Sequence, residues 1–118
     1  MIKRLEERKK VEMVNAQGGM NSIFAHLILE GAEFTEAGRL FNIVTFPPQS
    51  SIGYHVHNGE TETYLVLQGR GRYSDNGTEV EIGPGDVAYC PSGEGHGLVN
   101  ITDEDLVIVA LILYDKTK

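Results

Sequence analysis

The sequence predicts an all-β protein whose strands close into a double-stranded β-helix, or jelly-roll barrel. Three observations predict it. Apolar residues come in short runs with period-two alternation rather than at helical spacing. The 14 glycines interrupt the chain often, and turn signals separate the runs at short, regular intervals. A chain of 118 residues with that many short strands must bury its edges, which a closed or sandwiched sheet does. The length and a 41% hydrophobic content suit one domain with a single core, read as a 1–20 arm followed by a 21–118 barrel.

The start, "MIKRLEERKK", is dense in charge and reads as a solvated end, either a short surface helix or an extended arm, closed by the turn "NAQGGMN". From Ser22 to Leu29 the chain alternates, placing Ile23, Ala25, Leu27 and Leu29 on one face and Ser22, Phe24, His26 and Ile28 on the other. A second strand, Arg39 to Phe46, is apolar on both faces and stops at Pro47-Pro48, which cannot donate to a ladder. Further strands are expected at Ser51–His57, Glu62–Gln68, Gly71–Ser74 and Thr78–Ile82. Asn76-Gly77 between the last two is a tight-hairpin signal, because both positions tolerate positive φ. After the turn "GPGD" come Val87–Cys90, Gly95–Ile101 and Leu106–Tyr114, making nine strands.

A net charge of −7 repels a phosphate backbone and offers no footprint for nucleic acid. No apolar run approaches the length that spans a bilayer. The one cysteine, Cys90, cannot form an internal disulfide, and the basic start lacks the apolar segment of a secretion signal. Both points favour the cytoplasm.

The chemistry is concentrated in "GYHVHNGETE", Gly53 to Glu62. Side chains alternate along a strand, so His55 and His57 project from one face with Tyr54 and Val56 on the other. If this strand pairs as a hairpin with the next, Glu62 stands beside the two imidazoles, although Glu60 has the same parity and is the rival carboxylate. Imidazole and carboxylate together suit first-row metals. His96, at the start of a strand after the glycine-rich "PSGEGHGLVN", is the candidate fourth ligand. His26 lies on the face opposite the apolar stripe and is read as a bystander.

Read as His55-x-His57-x4-Glu62-x6-Gly69, the stretch resembles the first signature motif of the cupin superfamily. Gly85-x5-Pro91-x-Gly93-x2-His96-x3-Asn100 resembles the second at every fixed position. The fifteen residues between Gly69 and Gly85 resemble the short intermotif segment of small single-domain bacterial cupins. One position departs: where the first motif opens with glycine, this chain has Gln49. The resemblance implies that His55, His57, Glu62 and His96 bind one divalent metal inside the barrel, manganese or iron first, with zinc, nickel and cobalt as alternatives. It favours Glu62 over Glu60, which then faces solvent at the mouth.

Three histidines and a carboxylate leave open positions on a six-coordinate ion, as a catalytic site does. A small anionic ligand fits there, because the metal dominates the local charge. Tyr64, two residues past Glu62, points inward, either to offer its hydroxyl to a substrate or to pack in the core. Glu94 is a proton donor if its loop covers the site and otherwise a solvated carboxylate. Cys90 reads as a small apolar filler.

The implied function is a metal-dependent enzyme, lyase or oxidoreductase, acting on a small carboxylate or related oxygenated metabolite, similar to the single-domain cupins described as oxalate-decarboxylase-like. The alternatives are a cupin-type sugar-phosphate isomerase, for which Arg39, Arg70 and Arg72 are the candidate phosphate ligands, and a non-catalytic small-molecule-binding module. Phe24, Ile28 and the two-sided strand at Leu40–Phe46 fit pairing into a homodimer.

Overall fold

In the computed structural model, which describes residues 1–117, ten strands are formed. They are β1 (Lys10–Val14), β2 (Ser22–Leu27), β3 (Gly38–Phe46), β4 (Ser51–Val56), β5 (Glu60–Gln68), β6 (Gly71–Asp75), β7 (Thr78–Ile82), β8 (Val87–Cys90), β9 (Gly95–Val99) and β10 (Leu106–Tyr114). One sheet has six strands in the order β1-β2-β3-β10-β5-β8, and a second has four in the order β4-β9-β6-β7. The all-β class expected from the alternation is the class observed. Among the described residues no helix is long and apolar enough to cross a membrane.

Alternation explains where the core sits. Tyr64 and Val66 of β5, Val44 and Phe46 of β3, and Ile108 and Ala110 of β10 turn inward and are almost fully buried. Leu98 and Tyr73 close the core from the four-stranded sheet. The two-sided apolar strand β3 lies between β2 and β10.

Three expectations need correction. The charged start contains β1, paired with β2 so that Met13 faces Ile23 and Val11 faces Ala25. Its Lys10, Glu12 and Val14 point out while Val11 and Met13 are half-buried, and Lys10 Nζ sits 4.9 Å from the Phe24 ring centroid. Second, β4 and β5 are not a paired hairpin. β4 pairs with β9 and β5 lies between β10 and β8, so their inward side chains meet across the gap between sheets. Third, Phe24 and Ile28 are half-buried. The large exposed apolar side chains of the six-stranded sheet are Val14, Leu65, Leu67, Val87, Tyr89, Leu113 and Tyr114.

Two turns fix the register around the site. Asn76 and Gly77 both take positive φ, 50° and 100°, as the expected tight hairpin between β6 and β7 requires. Gly69 takes φ +82°, and a Cβ there would lie 2.4 Å from the Asp105 carbonyl. Only glycine lets β5 end this close to the start of β10. Asn100 is fully buried and donates to the Phe46 and Glu104 carbonyls, which ties the end of β3 to the loop before β10.

Candidate metal centre

β4 and β9 bring His55 opposite His96 in register, and β5 presents Glu62 from the facing sheet. One ligand atom from each of His55, His57, Glu62 and His96 lies within 4.8 Å of all the others. Glu62 Oε1 is 2.9 Å from His57 Nε2, 3.0 Å from His96 Nε2 and 3.9 Å from His55 Nε2. His57 Nε2 and His96 Nε2 are 3.1 Å apart. Neighbouring donors held at about 2.1 Å from one ion are themselves about 3 Å apart, so the spacing fits a single divalent ion.

The far side of each ring explains which nitrogen is presented. His55 Nδ1 is 2.7 Å from the Gly53 carbonyl, which can only accept, so Nδ1 carries the proton and Nε2 its lone pair. His57 Nδ1 donates to Glu60 Oε2 at 2.6 Å. The Tyr73 hydroxyl is 2.9 Å from His96 Nδ1. Anchoring of the remote nitrogen is how proteins orient metal-binding imidazoles. When the near-side nitrogens are unprotonated, lone pairs and a carboxylate converge at about 3 Å, and a cation between them would relieve the repulsion.

Ionisation follows the same geometry. Burial opposes the charge on Glu62, but the surrounding imidazoles of His55, His96 and His57 outweigh it and hold the carboxyl at about 2 when they carry protons on their near side. Burial pushes His96 below the ordinary imidazole value, offset in part by Glu62. At His55 burial also disfavours the charge, but Glu62 and the Gly53 carbonyl together raise it. Burial and then the Glu62 charge push the Tyr64 phenol well up, so Tyr64 remains a proton-bearing hydroxyl.

The remaining sequence candidates separate clearly. Tyr64 is buried and its ring stacks on His96, centroids 4.8 Å apart at 21°, while it also lines the cavity beside the cluster. The core-packing reading of Tyr64 is the one its burial bears out. Glu60 does not face solvent as expected: Arg39 grips it with two hydrogen bonds, 2.8 and 2.7 Å, and its side chain is 13% exposed. The Arg39 hydrogen bond is the main cause of its lowered pKa, so it stays anionic behind His57. Glu94 is half-buried outside the cavity lining, and its carbonyl accepts the His57 backbone N–H. His26 lies on β2, away from the cluster. Cys90 is a buried filler whose thiol burial raises to about 11. Arg70 pairs with Glu81 on the exposed hairpin and Arg72 is exposed on β6, so of the three arginines only Arg39 borders the cavity.

Sequence reasoning missed Glu60 as the partner of His57, Tyr73 as the partner of His96, and Asn42. The alternation of Gly71 and Tyr73 on β6 was a usable signal for Tyr73. Asn42 was masked by its place in a two-sided apolar strand.

Comparison with known proteins decides the family. Residues 42–112 match the Cupin domain. The chain belongs to the cupin family. It is 40% identical over 114 residues to a Thermotoga maritima protein named oxalate-binding protein, covering 96% of this chain and 93% of that one. The crystal structure of a predicted oxalate decarboxylase from Thermotoga maritima superposes with a TM-score of 0.93 at 36% identity, covering 98% of this cupin and all of that chain. A cupin-superfamily sugar phosphate isomerase from Silicibacter pomeroyi superposes with a TM-score of 0.75 at 20% identity, covering 99% and 83%, which shows the shared fold.

Proposed function

We propose that this cupin binds one divalent transition metal through His55, His57, Glu62 and His96 and uses it to hold a small carboxylate, with decarboxylase- or dioxygenase-like turnover as the enzymatic outcome. The observation that carries the reading is the convergence of four donors whose imidazoles are each anchored at the remote nitrogen. Manganese or iron is the preferred ion, with zinc, nickel and cobalt compatible with the same donors. When bound, the ion supplies a Lewis acid for the carboxylate oxygens. Around it, Tyr64 offers a protonated hydroxyl from the cavity wall, and Arg39 with Glu60 fixes the His57 ring. The names of the Thermotoga relatives, oxalate-binding protein and predicted oxalate decarboxylase, support a carboxylate as the ligand class.

One observation favours a second reading, binding without turnover. Glu62 is the only carboxylate among the residues lining the cavity, and it is a proposed ligand, so no spare carboxylic acid stands ready to move a proton there. Protein reconstituted with manganese or iron and given a panel of small organic acids separates the two, with carbon dioxide release and oxygen uptake as readouts. Metal-dependent turnover of one acid supports the enzyme, saturable binding without turnover selects the binding module, and the absence of both would sink the proposal.

We also propose that two chains pair through the outer face of β10, β5 and β8. The registers there align Val109 with Leu65 and Leu65 with Val87, and Leu111 with Thr63 and Thr63 with Tyr89, so the outward rows are continuous and largely apolar. A monomeric mass in solution overturns this.

A further inference from the structure

The cavity beside the candidate metal centre has a volume of about 410 Å³, room for roughly a dozen waters at about 30 Å³ each. Oxalate, with two carbons, would leave most of it empty. The metal end of the cavity is polar, with His55 on β4, His57 just after it, and Glu62 and Tyr64 on β5; Arg39, Gln17 and Asn42 are the other polar residues of the lining. From the metal end it runs across the large sheet. Inward rows follow the register: Glu62, Ile112 and Leu40 in one, and Tyr64, Ala110 and Asn42 in the next. Val44, Phe46 and Ile23 line the far side. Ala110 is the smallest inward side chain of β10 and leaves the floor open between the two ends.

Asn42 is the exception on the apolar side. It is 7% exposed, it lines the cavity, and among the described residues its side-chain amide has no hydrogen-bond partner. No occluded side-chain polar atom lacks a partner among the described residues, so the Asn42 amide opens into the cavity, where a polar group of a ligand can meet it. β3 and β5 are separated by β10 alone, so Asn42 stands two strand spacings, about 10 Å, from the Tyr64 column. A ligand that meets both the metal and Asn42 must reach from the β5 side of the cavity to the β3 side.

We propose that this cavity selects an amphipathic carboxylate longer than oxalate, with its head at the metal, its apolar body over Ala110 against Val44 and Ile108, and a far oxygen hydrogen-bonded by Asn42. The inference rests on the carboxylate reading of the metal centre and names the class of ligand that the centre takes. Apolar surface buried along the cavity tightens binding by about three- to fourfold per methylene until the far wall is reached.

The test is calorimetric titration of the metal-loaded and metal-free protein with acetate, oxalate, butyrate, hexanoate and 6-hydroxyhexanoate. The expected result is metal-dependent affinity that rises along the series, with 6-hydroxyhexanoate at least tenfold tighter than oxalate. Ala110→Leu, which fills the floor, should remove that advantage while leaving metal affinity and oxalate binding unchanged. Ala110→Val reads the same effect in smaller measure if the larger side chain impairs folding. Asn42→Leu should weaken 6-hydroxyhexanoate about tenfold and leave hexanoate unaffected. Oxalate binding as tightly as the longer acids, or longer acids indifferent to Ala110→Leu and Ala110→Val, overturns the inference and leaves the carboxylate reading standing. If no acid binds the metal-loaded protein, or the acids bind equally without metal, the carboxylate reading itself fails and the inference with it.

Discussion

The two ends of the cavity are built on the same strands and behave as opposites. On β5 the inward positions read Glu62, Tyr64 and Val66, and on β3 they read Leu40, Asn42, Val44 and Phe46, so polarity falls from β5 towards β3 and β2. At the metal end buried polar atoms are matched by partners: each imidazole is held behind, and Arg39 holds Glu60 in turn. On the inward faces of β2 and β3 the wall is aliphatic and aromatic apart from the Asn42 amide. The difference teaches that one end is organised to position donors around an ion, while the other provides room and apolar surface. A single barrel supplies both because alternation lets each strand choose its inward residue without disturbing its outward one.

Removing the carboxylate at the polar end is the largest break. Glu62→Ala should lower metal affinity by at least about a hundredfold, read by competition with a chelator, because two imidazole Nε2 atoms at 2.9 and 3.0 Å lose their shared anionic neighbour. Acid breaks the same end without a mutation. Glu62 is held at about 2 in the folded chain against an ordinary 4.5, so between those values the unfolded chain binds more protons. The metal-free protein should therefore lose about 3 kcal/mol as pH falls from about 4.5 to about 2, measured by urea unfolding, and Glu62→Gln should flatten that limb. Near neutral pH the histidines oppose each other. His96, lowered, loses stability as pH drops below 6.5, whereas His55, raised, contributes stability below 6.5 that fades as pH rises.

A smaller change sharpens the contrast between donors and their supports. Glu60→Ala leaves the four proposed ligands in place but frees His57 Nδ1, and should weaken metal binding about 10- to 100-fold. Arg39→Ala should have a milder effect, because Glu60 keeps its bond to His57. The smallest effect lies outside the cavity. Gln49 occupies the position where the first motif has glycine and takes φ +66°, so Gln49→Gly should raise stability by about 0.5–1 kcal/mol with metal affinity unchanged.

Much of this was legible in the chain. Strands β7, β8 and β10 were read at their observed ends because alternation there is bounded by turn residues, and the spacing from His55 to Asn100 pointed to the four donors that the fold brings together. What remained hidden depended on pairing. The alternation of Val11 and Met13 in β1 was obscured by flanking Lys10 and Glu12, whose charge suits the outer face of an edge strand. That β4 and β5 face each other from different sheets cannot be read from their adjacency, since a hairpin would bring the same residues near. Glu60 looked like a solvent-facing residue because its partner Arg39 is twenty-one positions away, and Asn42 drew no reading because its strand was taken as apolar on both faces; β10 sets it opposite Ala110.

The most direct test of the metal centre is elemental analysis of the protein purified without added metal, compared with Glu62→Ala prepared in the same way and checked for folding by circular dichroism. The account predicts close to one transition-metal ion per chain in the parent protein and almost none in the folded variant. A folded parent protein that neither carries nor takes up a divalent metal, or a variant that retains it in full, would contradict the account.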